Sequence, residues 1–315
     1  ELNHAAVNPA FSLMSSMSKG EDFSNQYRFM TPAEADAAFA PLAQRPVVFP
    51  DSTGSWLSTH RPDIVLVILE SFTGHILDMP EVMPRLKALS EEGIYFPHFY
   101  ANSFRTDRGL VSILSGYPAQ PTASIMKSPS KSQSLPAIAR SLRKVGYDTE
   151  MIYGGDADFT NMRSYFYATG YGRGMSCDDF TTEENSARWG VPDHITFPRV
   201  EKEIARQTAR PFMKTFLTLS SHEPFDVPMS RLEHPYLNSV AYTDSCLGAF
   251  VDTLRQSPLW ENLLIVFVAD HTMRYPAGIQ EHEVKRHHIP MVWCGGAVRG
   301  HRVVEDYASQ IDLAA

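Results

Sequence analysis

Three short apolar runs in this chain end on residues that can hold a metal ion or move a proton. Residues 64–69 lead directly into Glu70-Ser71-Phe72. Residues 212–219 lead into Ser220-Ser221-His222-Glu223-Pro224-Phe225. Residues 263–269 lead into Asp270-His271-Thr272. One polar residue at the end of an apolar run is ordinary, because strand ends meet solvent. Three such endings point to a shared site. Carboxylates combined with imidazoles form a hard-to-borderline donor set, suited to Zn²⁺, Mn²⁺ or a similar divalent ion.

A metal site that does chemistry on an ester needs a nucleophile, and Ser103-Phe104-Arg105-Thr106-Asp107-Arg108-Gly109 supplies a candidate. Thr106 stands just ahead of the helical pattern Leu110, Val111, Ile113, Leu114. The unpaired N–H groups and dipole of a helix start favour an alkoxide or a phosphate oxygen there. Thr106 is equally readable as a plain N-cap, which is the simpler account of the local sequence.

The elements that must position these groups follow from the apolar periodicity. Residues 64–69, 149–153, 212–219, 263–269 and 289–293 are short runs rich in β-branched and aromatic residues. Such runs suit strands buried on both faces of a mainly parallel sheet. Helical patterns cover residues 84–92, 108–114, 135–145, 199–208 and 239–255. The alternation predicts an α/β fold, a mainly parallel central sheet with helices on both faces. Ligands of such sheets gather at the carboxyl ends of the strands, where the three polar endings lie.

Residues 1–60 read differently, as a leader arm rich in Ala, Ser, Met, Phe and Pro, with one short helix over 31–40. There Thr31-Pro32-Ala33-Glu34 offers an N-cap, a proline at N1 and an early acid. The catalytic domain is expected from residue 61 to 315. The chain holds 28 Lys+Arg against 36 Asp+Glu, a net charge of −8. That balance gives no footprint for nucleic acid. Cys177, Cys246 and Cys294 form no CxxC pair, which excludes a readable zinc ribbon or disulfide framework. No stretch of 18 apolar residues occurs.

Taken together, Val67-Ile68-Leu69-Glu70-Ser71-Phe72, Thr106 before a helix, Ser221-His222-Glu223-Pro224-Phe225 and Ala269-Asp270-His271 resemble the lipoteichoic acid synthase-like, phosphoglycerol transferase branch of the sulfatase and alkaline phosphatase superfamily. Order and spacing agree from about residue 61 onward. Met83-Pro84-Arg85-Leu86, Tyr242-Thr243-Asp244 and Ser309-Gln310-Ile311-Asp312-Leu313 add to the likeness. Asn8-Pro9 resembles, more faintly, the segment that joins membrane helices to the enzyme domain in that family.

The resemblance implies an alkaline phosphatase-like fold and one divalent ion, most often Mn²⁺, with Zn²⁺ or Mg²⁺ as alternatives. Glu70, Thr106, Asp270 and His271 would hold it, and Thr106 would be the nucleophile. His222 would contact the substrate phosphate or the departing oxygen. The implied activity is an extracytoplasmic transfer of a phosphoglycerol- or phosphoethanolamine-type head group through a phospho-threonine. A phosphate- or sulfate-ester hydrolase and an inactive binding ectodomain are the alternatives. The implied partner is a phospholipid head group or another phosphodiester. The parent chain is expected to be membrane-anchored, with this domain on the periplasmic or extracellular side and a C-terminal part beyond residue 315.

Two departures concern the substrate pocket. Where the family usually places Trp and Arg after a Phe, the run Tyr153 to Met162 has Thr160 and Met162, with Arg163 one step away as a substitute. Asp156, in a Gly-Gly turn, is a candidate contact for a head-group hydroxyl or amine, or else a turn residue bonding its own backbone. The histidine-dense run 281–290 reads as a surface loop with one substrate-contacting histidine, His288, rather than a second metal site. Threonine has no route to formylglycine, which counts against sulfate hydrolysis of that type.

Overall fold

The computed structural model describes residues 28–43 and 56–314, with single positions 8, 10, 11 and 14. Much of the expected leader arm lies outside the described residues. Residues group into two compact units, Glu1–Ser52 and Thr53–Ala315. In the first, helix α1 (Pro32–Ala43) begins where Thr31 and Glu34 form a reciprocal cap. Glu34 N–H donates to Thr31 Oγ1 at 3.3 Å and Thr31 N–H to Glu34 Oε2 at 2.8 Å. The helix runs beyond the expected residue 40 and includes Pro41 in its last turn.

In the second unit an eight-stranded sheet carries the site. Its strands are β1 (Asp63–Leu69), β2 (Ile94–Tyr95), β4 (Asp148–Tyr153), β5 (Arg173–Met175), β6 (Phe212–Leu217), β7 (Leu263–Ala269), β8 (Met291–Cys294) and β9 (Arg302–Val303), after β3 (Phe99–Tyr100) is set apart. The order is β5-β4-β6-β1-β7-β8-β2-β9, and β3 pairs in parallel with β10 (Ala308–Ser309) in a second small sheet. Pairs from β5 to β7 are parallel, whereas β8 runs antiparallel to both β7 and β2. The run expected over 289–293 is therefore a strand, shifted slightly and reversed in direction.

β6, β1 and β7 are adjacent at the centre of the sheet, and β6 and β7 are buried throughout. Burial on both faces is what their continuous apolar composition requires. One exception is Lys214 in β6, which is buried and paired with the carboxylate of Glu150.

The helices of this unit are α2 (Pro84–Glu92), α3 (Thr106–Ser115), α4 (Pro129–Ser132), α5 (Ile138–Lys144), α6 (Met162–Thr169), α7 (Asp193–Ala205) and α8 (Pro235–Arg255). α2, α7 and α8 pack together in one layer, and α3 to α6 form the other. The pattern read over 199–208 begins six residues earlier, at Asp193, and passes through Pro198. A proline this near a helix start removes one hydrogen bond. Burial of Phe197, Val200 and Ile204 holds the turn together.

Candidate active site

Register brings the two carboxylates together. Leu69 of β1 is the partner of Ala269 of β7, so Glu70 and Asp270 leave the sheet side by side. Ser71 turns the chain sharply, with φ of 60°, in the left-handed region that few non-glycine residues adopt. Its N–H donates to Asp270 Oδ1 at 2.8 Å, and its hydroxyl to Glu70 Oε1 at 2.8 Å. Tyr236 Oη, donating to Ser71 O at 2.8 Å, holds the turn from α8.

Thr106 reaches the same point from α3. It occupies N1, with Arg105 at the N-cap, and no side chain caps this helix. The Thr106 hydroxyl is instead 3.2 Å from Glu70 Oε2 and 3.3 Å from His271 Nε2. The capping account of Thr106 is thereby replaced by geometry. Close approach of α3 depends on Gly109, where a Cβ would stand 2.0 Å from the carbonyl oxygen of Asp270.

Glu70, Asp270 and His271 each offer one ligand atom, and these atoms lie within 4.8 Å of one another. His271 Nδ1 is 3.1 Å from Thr272 O, so its N–H is directed to that carbonyl and Nε2 faces the carboxylates, 3.4 Å from Glu70 Oε1 and from Asp270 Oδ2. Asp270 Oδ1 accepts from Ser71 N–H and from His271 N–H at 2.7 Å. Its Oδ2 is buried and makes no hydrogen bond, with His271 Nε2 beside it at 3.4 Å. A buried carboxylate oxygen that makes no hydrogen bond, close to Glu70, Thr106 and His271 Nε2, fits a divalent cation, since a buried carboxylate pair needs compensating positive charge.

Electrostatics show the same crowding of negative charge. Burial and the neighbouring charge of Glu70 push the Asp270 carboxyl up to about 7. For His271, burial disfavours the cation, but Asp270 and Glu70 outweigh it and raise the imidazole to about 9. For Glu70, burial would raise the carboxyl, yet the hydrogen bond and charge of His271 bring it down to about 2. A proton on His271 is therefore favoured by the negative charge of the two carboxylates beside it.

The triad opens into a cleft of about 400 Å³, lined by Thr106, Tyr153, Phe159, Trp189, His222 and Arg286 among others. His222 is carried by the loop after β6. Buried Asp193, at the start of α7, accepts from Leu219 N–H at 2.9 Å, Ser220 N–H at 3.2 Å and Thr243 Oγ1 at 2.7 Å, fixing that loop. His222 Nδ1 is 2.8 Å from Glu223 O, which leaves Nε2 without a protein partner.

The chain belongs to the sulfatase family. The family model matches residues 62–315. This sulfatase domain is 26% identical over 241 residues to the lipoteichoic acid synthase-like protein YvgJ of Bacillus subtilis (strain 168), covering 70% of this chain and 38% of that protein. An alkaline phosphatase superfamily protein from Vibrio parahaemolyticus superposes with a TM-score of 0.78 at 25% identity, over 90% of this chain and 74% of that one. Lipoteichoic acid synthase LtaP of Listeria monocytogenes superposes with a TM-score of 0.73 at 20% identity, over 85% of this chain and 74% of that one. The domain falls in the lipoteichoic acid synthase-like branch of the superfamily. It spans less than half the length of the curated relatives it matches.

Of the other residues singled out in the sequence of this sulfatase domain, Thr160 and Met162 line the cleft, whereas Asp156, Arg163 and His288 sit apart from its lining. Asp156 accepts the N–H of Asp158 at 2.8 Å, the turn arrangement. Arg163 pairs with Asp158 at 2.8 Å and Asp178 at 2.9 Å. The His288 ring packs on Gly74, with Nε2 2.8 Å from Pro97 O. In their place the cleft has Trp189 and Arg286, which sequence reading passed over. Gly190 carries φ of 145°, and a Cβ there would meet Gly154 O at 2.1 Å. This backbone contact places the Trp189 ring 4.8 Å from His222 and 6.2 Å from Phe159. The usable signal was the Gly154-Gly155 pair, which permits a second backbone to approach as well as a turn.

Proposed function

We propose that this domain is a metal-dependent phosphotransferase that moves a phosphoglycerol- or phosphoethanolamine-type head group through a phospho-threonine at Thr106. The observation that carries the reading is the Thr106 hydroxyl: at a helix start, not used as a cap, and within 3.3 Å of both Glu70 and His271. Glu70, Thr106, Asp270 and His271 would hold one divalent ion, with Mn²⁺ as first choice and Zn²⁺ or Mg²⁺ as alternatives. When bound, the ion supplies Lewis acidity that favours the alkoxide and offsets phosphate charge.

Thr106 loses its proton to water, and its Oγ1 forms a bond to phosphorus while the bond from phosphorus to the lipid alcohol breaks. His222, as the imidazolium, gives its proton to the departing oxygen. An acceptor hydroxyl then attacks the phospho-threonine and passes its proton to His222 Nε2, the bond from phosphorus to Thr106 Oγ1 breaks, and Oγ1 takes back a proton from water. Helix α3 points its free N–H groups toward the phosphoryl oxygens. Phe159 and Trp189 wall the head group. Asp156, Arg163 and His288 support the reading as groups that shape the surrounding loops, with head-group contact assigned to Trp189 and His222.

The similarity to lipoteichoic acid synthases supports a lipid phosphodiester as donor and a parent chain anchored in the cell membrane, with this domain on its outer side. Among the described residues, no helix is long and apolar enough to cross a membrane. The test is incubation of the Mn²⁺-loaded domain with a panel of phospholipids, followed by mass spectrometry of the Thr106 peptide. A head-group phosphate adduct on Thr106 is expected. Turnover with Thr106 never modified, even after acid quench, would overturn the covalent route.

A further inference from the structure

One buried cation in the cleft makes no ion pair among the described residues. Arg286 is only 7% exposed, yet no carboxylate lies within ion-pair distance of it. Its Nη1 donates to Thr272 O at 2.9 Å and to Thr272 Oγ1, while Nε is buried with no partner and Nη2 makes no hydrogen bond. The guanidinium lies 4.1 Å from the ring centre of Phe104. That ring face offsets part of the desolvation cost but cannot satisfy the unused donors.

The neighbouring side chain on the same wall, Arg105, also lines the cleft, is exposed, and makes no hydrogen bond or ion pair. Phe104-Arg105 leads directly into Thr106, and Thr272 follows His271. The guanidinium of Arg286 therefore packs against the two segments that carry the nucleophile and the imidazole, and makes no ion pair with Glu70 or Asp270.

We propose that Arg286 is an anion-binding residue separate from the metal triad, and that the cleft takes a ligand with two phosphate-type groups, one at Thr106 and one at Arg286. A buried arginine without an ion-pair partner is costly in the free protein, and Nη2, the guanidinium nitrogen that is neither bonded nor sealed off, can donate to a phosphate oxygen. Arg105 adds a second positive charge at the mouth. The proposal rests on the phosphotransferase reading only for the first of the two groups. The second needs no metal and no turnover.

Two measurements separate them. In chelator-treated protein, millimolar inorganic phosphate should raise the melting temperature of the wild type and leave Arg286→Gln unmoved, with Arg286→Lys showing a smaller rise. Equal rises in wild type and Arg286→Gln would overturn the Arg286 site whatever the metal does. In Mn²⁺-loaded Thr106→Ala protein, propane-1,3-diol bisphosphate should bind at least tenfold more tightly than the monophosphate, and Arg286→Gln should erase that preference. Loss of all phosphate binding in the metal-loaded protein, with the chelated response intact, would fault the phosphotransferase reading and spare Arg286. Equal affinity for mono- and bisphosphate in the wild type would overturn the two-anion ligand.

Discussion

Gln310 Nε2 donates to the backbone carbonyl of Asp270 at 2.7 Å, tying the turn at Gln310 to a residue of the candidate ligand triad. The same amide nitrogen donates to Ala269 O at 2.8 Å, and Gln310 Oε1 accepts Asn102 N–H at 2.9 Å. The side chain is fully buried, so every one of these bonds lacks a water substitute.

Replacing Gln310 should therefore cost stability and metal together. Gln310→Ala strands two carbonyls and one N–H, and a loss of about 2–4 kcal/mol is expected from a few buried unsatisfied groups. Denaturant melts check the stability, and manganese titration of the folded variant should show weaker binding. A variant as stable as wild type would mean that the clamp carries no energy.

Asp270→Ala should lose most bound metal in elemental analysis, because it removes both a charge and the buried Oδ2. Asp270→Asn keeps an acceptor for Ser71 and His271 N–H and removes a buried charge. Without metal it should melt no lower than the wild type above pH 7. Stoichiometric manganese in Asp270→Ala would remove Asp270 from the ligand set.

The triad also fixes a pH response, and its sign differs with and without metal. His271 is raised from its ordinary 6.5 to about 9, so its contribution is complete below pH 6.5 and lost on rising through 9. Asp270, raised from 3.8 to about 7, likewise contributes stability that is lost as pH rises between those values. Glu70, lowered from 4.5 to about 2, contributes above pH 4.5 and loses it as pH falls toward 2. Metal-free protein should thus melt progressively lower from pH 6.5 to 9. Metal binding needs a deprotonated Asp270 and a neutral His271, so the stabilisation by Mn²⁺ should grow across the same window. Melting curves at matched pH, with and without chelator, read both slopes. Parallel slopes would contradict the shared site.

Thr106→Ala should fold nearly as well as wild type, with a cost below about 1 kcal/mol, because the hydroxyl caps no helix. Its turnover should vanish, while Thr106→Ser retains a hydroxyl and some activity. Calorimetry and turnover measured on the same preparations decide it. Phosphodiesters should also be turned over far faster than aryl sulfates at equal metal loading.

Trp189→Ala should raise KM about tenfold or more for a lipid head-group donor and leave the melting temperature within a few degrees. Arg163→Ala should change KM less than twofold, since its guanidinium is engaged by Asp158 and Asp178 at the surface. The reverse ranking would return the head-group contact to Arg163.

Glu70, His222, Asp270 and His271 were legible from sequence because a doubly buried parallel strand must be an unbroken apolar run, and its end then marks where function can begin. β1, β6 and β7 could be read that way, and their adjacency is what turns three separate endings into one site. The chain order does not contain that adjacency: β6 lies beside β1 although 142 residues separate Leu69 from Phe212, by subtraction along the sequence. The same holds for Asp244, whose carboxylate accepts Arg85 N–H at 2.9 Å and Leu86 N–H at 2.8 Å, capping α2 from the remote helix α8. Short strands such as β2, β3, β9 and β10 carry too few residues for a period to register, so only pairing reveals them. Composition and periodicity determined the class of fold, the metal-type donors and the candidate nucleophile. Which side chains wall the cleft was decided by packing between distant loops, where Gly190 against Gly154 admits Trp189 and the fold leaves Arg286 buried on Thr272 and Phe104 without an ion-pair partner. Local sequence cannot encode those contacts, because each depends on the backbone of a segment that is remote until the sheet has formed.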